Sequence, residues 1–495
     1  MNAIDTYRRD LLEREKAVAR RGPFEPTWES LEKKGVPNWY SSAKFGIFIH
    51  WVVSSVPAFG NEWYARNMYI AGTTEFEHHR AVYGAQNEFG LKDFIPDFTG
   101  DKFDAEEWIS LVKRSGAQYV VPVAEHHDGF ALYDSDLTRW KATEMGPHRD
   151  VIGEIAAESR RQGITFGLST HRAENWWFYN GGARFDSDVR NPENADLYGP
   201  ARSRHTQPDQ HFLEDWLARV VELVEKYDPD LVWFDWWIEQ PAFEPFRRDF
   251  ASYYYNRAAA RGGDPVINYK WDAFAQGSAI HAVERGSVRG IETGYFQNDT
   301  STSRLSWCHI DENVFKSAGE LVGELIDAVS KNGALLLNIG PRADGSIPEE
   351  EAELLRSVGD WLAVNGEAIY GTEPWLVFGE GPTRPTPGSF VDGAPTDWTT
   401  QDVRFTARGN SVYASFFCWP DSECVVRSFS SVLRLGDGDI IGVSLLGYGP
   451  VVWEVGELGL RVALPNTRPD PVSPVLRIDI RPPAPVERLE PAFPQ

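Results

Sequence analysis

The sequence predicts an α/β chain: a (β/α)8-like (TIM) barrel with an N-terminal helix over residues 1–372, followed by an all-β sandwich domain over residues 373–495. Three observations predict it. From Phe45 to Gly371, short and continuously apolar runs alternate with amphipathic helical stretches, the pattern of a parallel sheet covered on both faces. Seven or eight such units occupy roughly 330 residues and the first lacks the GxGxxG phosphate fingerprint, so a closed barrel is favoured over an open dinucleotide-binding sheet. Beyond Thr372, Pro and Gly crowd GEGPTRPTPGSFVDGAPTDW and the hydrophobic period drops to two.

The elements follow in order. Ile4, Leu11, Leu12 and Val18 fall on one face of an N-terminal helix suited to packing on the body. FGIFIHW from Phe45 reads as the first buried strand, ending at His50 and Trp51 before a polar loop. Helical spacing over Phe103 to Ser115 closes at Gly116, and QYVVPVAEHHDGF then supplies a strand ending in His126, His127 and Asp128. A helix from Val151 to Gln162, stopped by Gly163, leads to ITFGLSTH and His171, with Glu174, Asn175, Trp176 and Trp177 in the loop beyond. The helix from Gln210 to Tyr227 carries Phe212, Trp216, Val220 and Val224 on one face and leads to LVWFD, an apolar run that ends in Asp235. After a helix over roughly 243–261, PVINYKWD and HAVERG read as strands, with Glu284 near the end of the second. A long irregular loop carrying Glu292 and Asp299 then runs to LSWCHI. The last unit joins a helix from Leu321 to Ser330 with ALLLNIGP, and PEEEAELLRSVGDWLAVNG has the Pro and acids of a helix start. VRFTA, SVYASFFCW, ECVVRSF, IIGVSLLG, VVWEV, LRVAL and VLRIDI alternate as sandwich strands, and RPPAPVERLEPAFPQ reads as a surface tail.

Composition narrows the function. A net charge of -24 argues against nucleic-acid and anionic-membrane partners, both of which need clustered Lys and Arg. The 19 Trp, 18 Tyr and 28 Phe suit sugar faces as well as plain cores. Cys308, Cys418 and Cys424 form neither a disulfide framework nor a CxxC pair, so a reducing, cytoplasmic home is expected, and neither a signal peptide nor a transmembrane run is seen. Assembly into a homo-oligomer is left open.

In a parallel barrel the C-terminal strand ends converge on one face, where active sites are built. His50, His126, His127, His171, Asp235 and Glu284 all fall at such ends. Two chemistries compete for them. A glycosidic bond needs one carboxylate to attack carbon and another to donate a proton, about 5–5.5 Å apart for retention of configuration, and Asp235 with Glu284 is the leading pair. A metal-dependent hydrolase would instead use His50, His126, His171 and Asp235 as ligands. Against a metal, strand alternation would point His126 and His127 to opposite sides, and no HxH or HExxH pattern occurs, so no metal or cofactor is expected. A noncatalytic carbohydrate-binding protein is the third reading.

KFGIFIHW at 44–51, SVPAFGNEWYARNMY at 55–69, EHHDGFALYDS at 125–135, DLVWFD at 230–235, ERG at 284–286, SWC at 306–308, SKNGALLLNIGPRADGSIPEEE and NGEAIYGTEPW occur in this order. With these segments the chain resembles an α-L-fucosidase of glycoside hydrolase family 29. The resemblance implies a catalytic barrel with a β-sandwich and a retaining double displacement on a terminal α-L-fucoside, or on a related L-sugar such as an α-L-galactoside. Asp235 would be the nucleophile and Glu284 the acid/base, with Glu292 the fallback and Asp299 a rival. His50, Glu62, Trp63, His126 and His127 would bind the sugar, and Trp307 would wall the pocket. Departures from the pattern are Val52 and Trp236 where small residues are usual, Lys270 where Arg is common, and STHRAENWW in place of a tyrosine-bearing segment. Lys270 replaces a planar fork by a point charge. Trp236 would narrow the leaving-group side, and His171 and Trp176 would take a subsite role. The sandwich is expected to brace the barrel.

Overall fold

The computed structural model describes residues 3–432 and 439–481. Eight parallel strands, β1 (Phe45–Ile49), β2 (Tyr119–Glu125), β3 (Thr165–Thr170), β4 (Leu231–Phe234), β5 (Val266–Tyr269), β6 (Ile280–Glu284), β7 (Phe296–Ser301) and β8 (Gly333–Ile339), pair in sequence order. The barrel closes where β8 returns to β1, with Phe45 opposite Leu335 and Ile49 opposite Ile339.

The main helices are α1 (Ala3–Ala19), α2 (Ala105–Arg114), α3 (Val151–Gln162), α4 (Gln210–Tyr227), α5 (Glu244–Ala259), α6 (Ala318–Ser330) and α7 (Glu349–Asn365). Their ends follow local chemistry. Asp104, Asp150 and Asp209 each accept a backbone N–H in the first turn of α2, α3 and α4, and Ser317 with Glu320 closes a capping box on α6. Gly163, at φ 77, stops α3 in the left-handed conformation glycine allows. No helix among the described residues is long and apolar enough to cross a membrane.

β7 is the element the sequence does not announce. Gln297, Asn298, Asp299, Thr300 and Ser301 are all buried although none is apolar, and Leu305–Ile310, where the irregular loop was expected to end, forms no strand. The alternation explains it: Ser301 faces inward and accepts from Asn338 Nδ2 (3.0 Å), Asp299 lines the central cavity, and Thr300, facing outward, donates to Asp392 (2.8 Å). Polar groups on both faces replace the apolar run that periodicity looks for.

α1 lies on α4 and α5 with Leu11 fully buried. Arg8 binds Asp215 (3.0 Å), which also holds Arg219 (2.9 Å) and Arg172 (3.2 Å); both of these arginines reach Glu125 at the end of β2. The chain of buried charges thus runs from the N-terminal helix to the residue before His126.

After the barrel, β9 (Glu373–Glu380), β10 (Val403–Arg408), β11 (Ser411–Phe416), β12 (Glu423–Val426), β13 (Asp439–Leu445), β14 (Gly449–Pro450), β15 (Trp453–Gly456), β16 (Gly459–Ala463) and β17 (Val475–Arg481) form two antiparallel sheets. Their orders are β14-β13-β17-β11-β10-β9 and β12-β16-β15, around a core that includes Phe405, Phe416, Leu460 and Ile478. β9 and the two-residue β14 were not anticipated; the other strands match the alternating segments. The expected surface tail, 481–495, starts at Arg481, which instead ends β17; the rest of it lies outside the described residues.

One buried cluster ties this sandwich to the barrel. Arg404 of β10, 1% exposed, donates to Asp327 of α6 (2.7 Å), Lys331 binds the other oxygen of Asp327 (2.7 Å), and the guanidinium lies against Trp398 and Phe417. Asp327→Ala leaves two buried cations without a counter-ion, so chemical denaturation should show a loss of about 3–5 kcal/mol. A loss below about 1 kcal/mol would mean that the cluster holds nothing together.

Candidate active site

The strand ends converge on a cavity of about 300 Å³ at the C-terminal mouth of the barrel. Phe48 and Trp233, inward-facing residues of β1 and β4, line its inner part. His50 follows β1, His126 and His127 follow β2, His171 follows β3, Asp235 and Trp236 follow β4, and Lys270 follows β5; Glu284 ends β6 and Asp299 lies within β7. Glu62, Trp63 and Trp307 complete the wall from loops.

Lys270 organises the charges. Its Nζ lies 2.5 Å from Glu284 Oε2, 3.5 Å from Asp235 Oδ1 and 3.5 Å from Asp299 Oδ2. The Asp235 and Glu284 oxygens are therefore no further apart than the sum of the first two contacts, below the separation of about 6.5 Å at which inverting carboxylate pairs begin. Burial opposes ionisation of Asp235, but Lys270, then His171 and His127, outweigh it and hold the carboxyl far below its usual range. Glu284 goes the other way: burial and the charge of Asp235 raise it despite Lys270. Asp299 is raised to about 7, first by burial and then by its two acidic neighbours. Lys270, facing three acids, stays protonated although burial disfavours its charge.

The histidines are hydrogen-bonding groups rather than cations. Burial lowers His50, His126 and His127, and brings His171 down to about 4. Asn338 donates its amide to Ser301 and to the Trp307 carbonyl, so its Oδ1 accepts from His50 Nδ1 (2.7 Å), which turns His50 Nε2 free as an acceptor. His171 Nδ1 donates to Asp235 Oδ2 (2.9 Å) while its Nε2 faces the Ser169 hydroxyl (3.1 Å). His127 Nε2 lies 3.4 Å from the same Asp235 oxygen, and the Trp236 N–H donates to Asp235 Oδ1 (2.8 Å). Glu62 accepts from the Trp307 N–H (3.0 Å), which fixes both in the wall.

Three sequence readings are corrected. His126 and His127 do not point apart: β2 ends at Glu125 after a register shift between Val123 and Glu125, and the two rings lie 4.2 Å apart, both on the cavity. Trp176 packs on Phe212 and donates to the Thr206 carbonyl (2.9 Å), outside the cavity wall. Glu292 is exposed and precedes β7, with its N–H on the Lys331 carbonyl, so it sits at the opposite end of the barrel from the carboxylate pair.

The sequence also missed wall residues. Trp271 was findable as the neighbour of Lys270, but Arg204, on a long loop, and Phe390, beyond the barrel altogether, carry no local signal. One nitrogen each of His50, His126 and His171 lie within 4.8 Å of one another, as do ligand atoms of His127, His171 and Asp235, a spacing that would admit a metal ion. Both nitrogens of His171 already face partners, so a metal would have to displace one of them.

The α-L-fucosidase family profile matches residues 11–367, and the profile of the α-L-fucosidase C-terminal domain matches residues 396–479. The chain belongs to the α-L-fucosidase family. It is 33% identical over 458 residues to human plasma α-L-fucosidase, covering 90% of this chain and 89% of the relative. To human tissue α-L-fucosidase it is 31% identical over 460 residues, covering 91% and 89%. The crystal structure of a Thermotoga maritima α-fucosidase in complex with fucose superposes with a TM-score of 0.73 at 28% identity, over 92% of this chain and all of that one.

Among the charged neighbours of Asp235, Lys270 does most to keep it ionised. Lys270→Met removes the charge that keeps Asp235 ionised, so the Asp235 pKa rises and the acidic limb of the pH–rate profile on an aryl glycoside moves to higher pH. kcat/KM should fall about 10²–10³-fold. An unchanged acidic limb would show that Lys270 does not control Asp235.

Proposed function

We propose that the protein is a retaining exo-glycosidase that releases terminal α-L-fucose. The observation that carries this is the pair Asp235 and Glu284 on one ammonium, close together and with their acidities pushed in opposite directions. Family membership and the likeness to a fucose-bound fucosidase support the sugar.

In the first step an Asp235 oxygen attacks the anomeric carbon, the bond to the leaving oxygen breaks, and the Glu284 proton passes to that oxygen. In the second step water attacks the same carbon and gives its proton to the Glu284 carboxylate, while the bond to Asp235 breaks and restores the free nucleophile. Neutral His50, His126 and His127 with Glu62 serve the sugar hydroxyls, and Phe48, Trp233 and Trp307 offer apolar faces to the C6 methyl. We read the reaction as metal-independent, supported by the engagement of both His171 nitrogens; chelator should leave the rate unchanged. The three free thiols support a reducing compartment.

Lys270 motivates a second sugar, an L-galactoside, because a compact ammonium tolerates a hydroxyl where a planar fork is more exacting. Aryl α-L-fucoside should nevertheless be turned over faster than aryl α-L-galactoside. Asp235→Asn should fold normally and abolish turnover, and azide should restore turnover to Asp235→Gly by giving a β-fucosyl azide. Near-native activity of Asp235→Asn would sink the mechanism.

A further inference from the structure

Two large apolar side chains stand exposed at the cavity mouth. Trp271 is 56% and Phe390 61% exposed, yet both line the cavity and both hold left-handed backbone, φ 59 and φ 57. Bulky residues seldom adopt this conformation, and it persists only where the surroundings impose it.

For Phe390 the imposition is visible. Its N–H donates to the Glu284 carbonyl (2.9 Å), the Val391 N–H to the Arg285 carbonyl (2.8 Å), and Gly388 exchanges two backbone hydrogen bonds with Ser287 (2.8 and 3.1 Å). A Cβ on Gly286 would lie 2.2 Å from the Gly388 carbonyl, so the glycine after Glu284 and Arg285 is what lets this loop approach. Asp392 then pins the far side, accepting from Lys316 (2.7 Å) and Thr300 (2.8 Å). The backbone that carries Glu284 therefore carries Phe390 as well. Trp271 directly follows Lys270, which touches both catalytic carboxylates, so its position is fixed to the same pair.

We infer that Phe390 and Trp271 form a leaving-group subsite for a pyranose ring, built jointly by the barrel and the loop before β10. The inference rests on the glycosidase reading above. Glu284 delivers its proton to the leaving oxygen, so a residue bonded to the Glu284 backbone at the cavity mouth stands on the side from which the leaving group departs. An exposed aromatic face there meets the apolar face of a sugar ring, and a simple alkyl leaving group does not reach it.

The test uses Phe390→Asn and Trp271→Asn, because Asn accepts the left-handed backbone and removes only the ring. For each, kcat/KM is measured on a panel of α-L-fucosyl disaccharides and on methyl α-L-fucoside, whose leaving group needs the same proton but has no ring. On the best disaccharide we expect a loss of about tenfold, with methyl fucoside within about twofold, and Phe390→Tyr near wild type. Equal losses on both substrates would show that the loop merely holds Glu284, and no loss on either would show that no ring binds there; either result overturns the subsite. If the wild-type enzyme cleaves neither substrate, the glycosidase reading itself fails.

Discussion

A single ammonium buried among three carboxylates is the constraint on which the site depends. Lys270 touches Asp235, Glu284 and Asp299, and its charge favours the ionised form of each against the burial that opposes it. Without it, Asp235, Glu284 and Asp299 would repel one another and burial would protonate them together. The barrel makes the arrangement affordable: each member comes from a different strand or the residue just after it, and hydrogen-bonded backbone holds the charges at fixed distances.

Around this centre the neutral histidines do a different kind of work. Two of them converge on one oxygen of Asp235, and the Trp236 N–H takes the other, so this carboxylate is oriented as well as ionised. Asn338 fixes the tautomer of His50 through bonds to its own neighbours, one of which lies in the polar strand β7. The buried polarity of that strand belongs to the same design, since it supplies Asp299 to the cavity and Thr300 to the loop that carries Phe390.

Much of this was legible in the sequence. Asp235 could be read because an apolar run ends in a charge, and the end of α3 at Gly163 because it obeys local chemistry. β7 could not, because it carries no apolar run and the partners of Ser301 and Thr300, Asn338 and Asp392, lie dozens of residues away. The direction of His126 and His127 was misjudged because the irregularity after Val123 ends the alternation on which the judgement relied. Trp176 and Glu292 were placed by proximity in sequence to residues that do reach the cavity, and a turn or a strand reversal carries them elsewhere. Phe390 reaches the site through backbone bonds across 106 residues of separation from Glu284, which no local pattern encodes.

The link between Arg8 and Asp215 spans 207 residues of chain. On a ribosome adding about 5–20 residues per second, helix α1 emerges roughly 10–40 s before its docking surface on α4 exists. Through that interval its apolar stripe has no native partner, and Arg8 has no Asp215. The helix therefore waits for a surface made about 200 residues after it, while β6 to β8 and the sandwich are still to come.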